Sequence, residues 1–402
     1  MANFTKIVKK TKFLSEIDRH KIPHFWGFPF TEDLKMSKIK RQSGIELLRI
    51  IAMIQIIFLH AYQYGLLHDA SKAAGDIDGI LVTFVWSFCR TPVDVFIMIS
   101  GYFMITSQFD IKKTIRRGGK IYGAMIFYSI ILSIIFFISD PSLININSVI
   151  KAFTPLMSRT WYFLSNYLII LLLSPFLNKM LASLSKKHYL YFMGIVFVAV
   201  SLWSTLAEIH GINNVISVNK ILDPYMGKSL GGFLLMYIIG GYLRLFVKQK
   251  PLEKRKPNFR YLGIFVGLCV LDFVLASVFP QYKPAFGMFN NPLVLAESAM
   301  LVLFFRDFNF SSKFVNTVAG TTLGIYAIHE NPYVRDCLWH VANFSNKHLY
   351  DTLIYIPIVI ITVLLIFAGC CVIELLRLKL FEFVGNKINA RKSITSGNRC
   401  TK

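Results

Sequence analysis

The stretch Gly44–Gln63 reads GIELLRIIAMIQIIFLHAYQ, an apolar helix long enough to cross a bilayer that nevertheless carries Arg49 and His60. A charged side chain at membrane depth costs at least roughly 2.5–3.5 kcal/mol, so it faces protein or a wet cavity and marks a working site. Eleven positions separate the two residues. At about 100° per residue this is three turns plus about 20°, which puts both on one face, about 16 Å apart along the axis. That face offers a fixed cation at one depth and a proton-transfer group at another. The plainer alternative is a snorkelling arginine and a histidine that glues helices together.

Composition excludes a soluble globular chain: 54% of the residues are hydrophobic and only 16% charged, with a mean hydropathy of +0.53. The 36 Phe and 18 Tyr suit a lipid-facing surface with interfacial aromatics. A formal net charge of +22 raises the question of nucleic acid, but the placement of the cations, below, is that of a membrane protein, so no nucleic-acid partner is expected. Six cysteines show no paired motif with metal spacing, and most lie within apolar runs, so neither a disulfide framework nor a metal site is expected.

Residues 1–43 form a basic arm without a long apolar run, so no signal peptide is expected. Phe25, Trp26, Phe28 and Phe30 suit an arm lying on an anionic membrane surface, or equally a disordered tail. From residue 44 to about 380 the length criterion gives about ten spans, near 44–65, 80–105, 120–139, 161–180, 189–207, 230–246, 260–279, 292–306, 316–332 and 352–377. With the N-terminus in the cytoplasm, roughly 34 of the Lys and Arg residues fall inside, against about 8 outside. The expectation is therefore an all-α polytopic protein of the cell membrane with both termini cytoplasmic, a basic tail at 381–402, and all chemistry done by the membrane bundle.

That orientation gives depth to the other polar groups. Arg90 and Asp94, in CRTPVDVFIMISGYFMI, are four apart and are expected to pair on one helix face, as a structural or a substrate-binding unit. Pro92 breaks that helix, and Gly101 allows close helix approach. The run Lys112, Lys113, Arg116, Arg117 and Lys120 forms a cytoplasmic basic mouth, which fits a polyphosphate or ordinary topology. Trp161, Tyr162 and Tyr167 make an interfacial belt or a stacking surface for a sugar beside Ser165 and Asn166. His329 and Glu330, in GIYAIHENPYVR, arrive at the same outer depth as His60, as do Asp272 and Glu297; Arg244 lies at the depth of Arg49.

Together these stretches resemble a family. Gly44–His60 with its Arg49 and His60, VDVFIMISGYFMI at 93–105, Arg116 and Arg117, WYFLSNYLIILLLSPFL at 161–177 and GIYAIHENPYVR at 324–335 are similar to landmarks of the integral membrane acyltransferase type 3 family. The resemblance covers roughly residues 40–380. It implies an O-acetyltransferase that takes acyl groups from cytoplasmic acyl-CoA and decorates an envelope polysaccharide. Some members carry an appended extracytoplasmic domain; only a short tail follows the spans here, so a stand-alone member is expected. With the resemblance, His60 is read as general base for an acceptor hydroxyl or as a covalent acyl carrier, and Arg49 as orienting the donor arm or polarising the thioester. Arg116, Arg117 and Arg244 would hold the CoA phosphates, and His329 and Glu330 would orient the base or bind acceptor. The expected donor is acetyl-CoA, with no metal, and the acceptor is a cell-surface glycan or lipid-linked saccharide. Two other classes stay open: a transporter or flippase for a lipid-linked saccharide, for which no related halves are visible, and a membrane glycosyltransferase using Asp272, Glu297 or Glu330.

Overall fold

A computed structural model describes residues 42–65, 77–209, 227–342 and 355–397. The aromatic N-terminal arm expected at 1–43 lies almost wholly outside them. The chain divides into a compact unit of residues 40–375 and a second made of residues 1–39 and 376–402. In the second, the described residues are the end of one long helix.

No strand occurs among the described residues, and each stretch expected to span carries helix. The bundle is built from α1 (Ser43–Tyr64), α2 (Ile77–Phe88), α3 (Pro92–Met104), α4 (Ile111–Ser139), α5 (Tyr162–Ala182) and α6 (Lys186–Phe197). It continues with α7 (Leu230–Leu245), α8 (Phe259–Val278), α9 (Pro292–Asp307), α10 (Lys313–Ala319), α11 (Thr322–His329), α12 (Pro332–Ala342) and α13 (Tyr355–Gly397). Seven helical stretches among the described residues are long and apolar enough to cross a membrane, two of them composite: Val82–Met104 runs from α2 through α3, and Lys186–Ile209 extends α6. The other three stretches expected to span fall below that length: α7 and α9 have 16 residues each, about 24 Å, and the stretch 316–332 is divided between α10 and α11. α7 and α9 are interior helices: Phe233, Leu235, Met236, Tyr237 and Ile238 of α7 and Val294 and Val302 of α9 are fully buried. The outer helices instead expose large apolar side chains, among them Ile134 and Ile138 of α4, Ile195 of α6, Val278 of α8 and Leu365 of α13. Such surfaces belong in lipid, and the chain is a multi-pass membrane protein.

Glycines set the central packing. α3 and α7 run antiparallel in backbone contact: a Cβ on Gly101 would stand 2.2 Å from the Tyr237 carbonyl oxygen, and one on Gly240 would stand 2.1 Å from that of Met98. Polar ties reinforce the contact, with Asn178 of α5 donating to the Met104 carbonyl at 2.6 Å and accepting from the Tyr237 hydroxyl at 2.6 Å. Gly240→Ala should therefore lower stability by about 1–3 kcal/mol through overpacking, seen as an earlier thermal unfolding midpoint in detergent. Gly263→Ala is the control, since a Cβ there meets nothing within 4 Å.

The start of α1 lies against the end of α9, because a Cβ on Gly44 would meet the Phe308 and Phe305 carbonyl oxygens. Ser43 fixes that end further, donating to Asn316 Oδ1 and accepting from the Ser312 amide, both at 3.0 Å. At the other end of α1, Gln55 donates to the Phe88 carbonyl at 2.7 Å, where α2 stops. The bundle thus has two ends, one carrying Arg49 and the other His60.

Candidate active site

The site at the His60 end grows out of two helix breaks. Pro332 cannot continue α11, so the helix stops at His329 and Glu330 follows as its C-cap. Asn331 then accepts from the Tyr333 amide at 3.1 Å and starts α12 with a proline in its first turn. The sequence His-Glu-Asn-Pro thereby holds a histidine and a carboxylate at a corner. The second break is at Cys89–Thr91, before Pro92 opens α3. Arg90 sits in that turn and not on a helix face.

At the corner, His60 Nδ1 lies 3.1 Å from His329 Nε2 and 3.1 Å from Glu330 Oε2. The tautomers follow from the outermost contact. His329 Nδ1 is 2.6 Å from the Ile325 carbonyl oxygen, which only accepts, so Nδ1 carries the proton. Neutral His329 therefore accepts at Nε2, and His60 donates from Nδ1. That leaves the lone pair of neutral His60 on Nε2. Glu330 Oε2 takes no hydrogen bond and contributes charge, while its Oε1 pairs with Arg335 Nη1 at 3.4 Å. One ligand atom from each of His60, His329 and Glu330 lies within 4.8 Å of the others, a set able to hold a metal ion; a cation there would first displace the His60 Nδ1 proton.

His60, Glu330 and Arg90 line a cavity of about 790 Å³ that also has Trp86, Tyr162, Lys228 and Lys283 on its wall. The Arg90 guanidinium lies 4.7 Å from the Trp86 ring centroid and 4.9 Å from that of Phe289. Arg159 on the same wall has φ 51°, a left-handed backbone that costs a non-glycine residue about 1 kcal/mol.

The expected Arg90–Asp94 ion pair does not form. The four-residue spacing places two side chains together only on a continuous helix, and the break at Thr91 removes that geometry. Asp94 is fully buried and accepts only a long contact from Ser298 Oγ at 3.5 Å. Trp161 is also fully buried, and of Trp161, Tyr162 and Tyr167 it is Tyr162 that lines the cavity. Asn166, expected beside a sugar, donates instead to the Lys228 carbonyl at 2.8 Å.

Arg49 is not on this cavity wall. Its Nη1 holds both carboxylate oxygens of Glu46, at 2.8 and 2.9 Å. That partner was readable from the sequence as an acid three residues ahead on the same face. Arg116 and Arg117 are exposed on the first turns of α4. Arg244, at the Arg49 end, donates to the Tyr102 hydroxyl at 3.3 Å. The sequence-derived residues thus fall into two groups: His60, Glu330 and Arg90 on the wall of one cavity with fully buried His329 behind His60, and Arg49, Arg116, Arg117 and Arg244 away from it.

A polytopic helical bundle with a paired histidine and a carboxylate on the wall of a basic cavity is the framework of a membrane enzyme. A family model described as an acyltransferase domain matches residues 42–375. The match spans most of the chain, which belongs to the acyltransferase 3 family and is a membrane acyltransferase. No curated protein and no solved structure matches the chain.

Proposed function

We propose that the protein transfers an acetyl group from cytoplasmic acetyl-CoA to a hydroxyl of a cell-surface glycan or lipid-linked saccharide, in a cell membrane it enters with both termini cytoplasmic. The observation that carries the reading is the His60–His329 hydrogen bond at the cavity wall, which leaves His60 with a free basic nitrogen. His60 Nε2 takes the proton of the acceptor hydroxyl as its oxygen forms a bond to the thioester carbonyl carbon. The Glu330 carboxylate, 3.1 Å from Nδ1, stabilises the imidazolium so formed. Arg90 supplies positive charge for the tetrahedral oxyanion. When the C–S bond breaks, the imidazolium returns the proton to the departing thiolate, so atoms and charge balance.

The donor end of the reaction belongs to the Arg49 end of the bundle. The basic residues Arg116, Arg117 and Arg244 suit the multiply anionic nucleotide of CoA, and the slim pantetheine arm passes Arg49 on its way to His60. Arg49→Lys, which cannot reproduce a planar guanidinium contact, is expected to raise the KM for acetyl-CoA about tenfold with little change in kcat; steady-state kinetics at varied acetyl-CoA check this. The class itself is tested by thiol release: purified protein in liposomes, given acetyl-CoA and an envelope-glycan extract, should liberate free CoA. A flippase would move saccharide without consuming acetyl-CoA, and that result would displace the reading.

A further inference from the structure

The cavity beside His60 carries three cations, Lys283, Arg90 and Lys228, that form no ion pair among the described residues. Lys283 Nζ lies 5.4 Å from the Trp86 ring centroid and 5.6 Å from that of Tyr62. Arg90 also lies over the Trp86 ring, at 4.7 Å from its centroid, and over that of Phe289, at 4.9 Å. Lys228 Nζ lies 5.7 Å from the Phe289 centroid and 5.5 Å from that of Tyr162. The result is an arc of three cations that share aromatic rings: Lys283, Arg90 and Lys228. Rings attract cations but do not cancel their charge.

Among the described residues none of the three forms an ion pair. Lys283 has a neutral partner, donating to Thr83 Oγ1 at 3.1 Å, and the Nε of Arg90 has none. The fully buried carboxylates Asp94, Asp272 and Glu297 lie in the bundle near Arg90 without pairing with it, which leaves the two lysines as the cations for an incoming anion. Glu330, the carboxylate of the wall, already faces His60 and Arg335. Lys228 is fixed in place: Gly227 before it has φ 84°, and a Cβ there would stand 2.5 Å from the Asn290 amide nitrogen, while Asn166 holds the Lys228 carbonyl. Cations gathered on the wall of one cavity repel one another, and an anion entering the cavity relieves that repulsion.

We infer that the acceptor bound in this cavity is an anionic saccharide whose phosphate or carboxylate group is held by Lys228 and Lys283 while its hydroxyl reaches His60. The inference rests on the acyltransfer reading for the word acceptor; the anion site itself does not. CoA phosphates share this chemistry, so the test separates the two sources by measuring binding and not turnover.

Full-length protein in nanodiscs of uncharged lipid is titrated calorimetrically with methyl glucoside, methyl glucuronoside, glucose 6-phosphate and, separately, CoA. The two charged sugars should bind about tenfold or more tighter than the neutral one, the size of a charge-assisted hydrogen bond. Lys228→Gln and Lys283→Gln should each remove about tenfold of that preference, Lys→Arg at either position should retain it, and CoA affinity should stay unchanged. Retained CoA binding also reports that the variants are folded. Equal binding of the three sugars, or none by any of them, overturns the inference, as does a matching loss of CoA affinity, which would put the anion on the donor. Tight binding of the charged sugars by a protein that releases no CoA would uphold the anion site and remove the acyltransfer reading instead.

Discussion

His60→Ala should lower acetyl transfer by about a hundred- to ten-thousandfold, the usual contribution of a positioned general base. The loss should fall on kcat, with the KM for acetyl-CoA little changed, because the site proposed for the donor nucleotide is at the Arg49 end of the bundle. The expectation follows from tautomers as much as from position. The Ile325 carbonyl fixes the proton on His329 Nδ1, His329 Nε2 then takes the His60 Nδ1 proton, and the remaining lone pair sits on His60 Nε2. The side chain is only partly buried, so truncation leaves a small void at a cavity wall and the helix stays inserted. Expression and CoA binding of the variant report this. Undiminished transfer would remove His60 from the chemistry.

His329→Phe should cost about a hundredfold or more in kcat, because in the proposed mechanism His329 positions His60 and does not itself take part in the transfer. A phenyl ring fills the same space but cannot accept from His60 Nδ1, so the base is free to rotate or to carry its proton on Nε2, the wrong nitrogen. His329→Gln offers an amide oxygen at similar reach and should recover part of the loss. That split between Phe and Gln is what separates orientation from packing, since a role in packing alone would favour Phe, the closer match in shape. Steady-state kcat for the two variants, with thermal unfolding midpoints alongside, gives the comparison. Equal activity of the two would contradict the orienting role.

Local features of the fold were legible because they depend on neighbours in the chain. The apolar run of α1, the stop before Pro92 and the close approach at Gly101 and Gly240 each follow from a residue's own backbone chemistry or from helical periodicity. Depth was legible too: counting residues from each membrane face put His329 and Glu330 beside the level of His60. Pairing across a break was not. Arg90 and Asp94 lie four apart, but the turn at Thr91 cancels the helical phase that would bring them together. Lys228 joins the cavity from the turn before α7, Lys283 from the short helix Lys283–Phe286 and Arg335 from α12, and no periodicity links such positions. That α7 and α9 are interior was not legible, because hydropathy does not tell a helix wrapped in protein from one wrapped in lipid.

The most direct test of the account is the fate of the acyl group. Purified protein in liposomes is given radiolabelled acetyl-CoA and an anionic envelope saccharide, wild type beside His60→Ala. The account predicts label in the saccharide fraction and an equal amount of free CoA from the wild type, with both lost in the variant. Label transferred equally by both proteins, or saccharide carried across the bilayer without release of CoA, would contradict it.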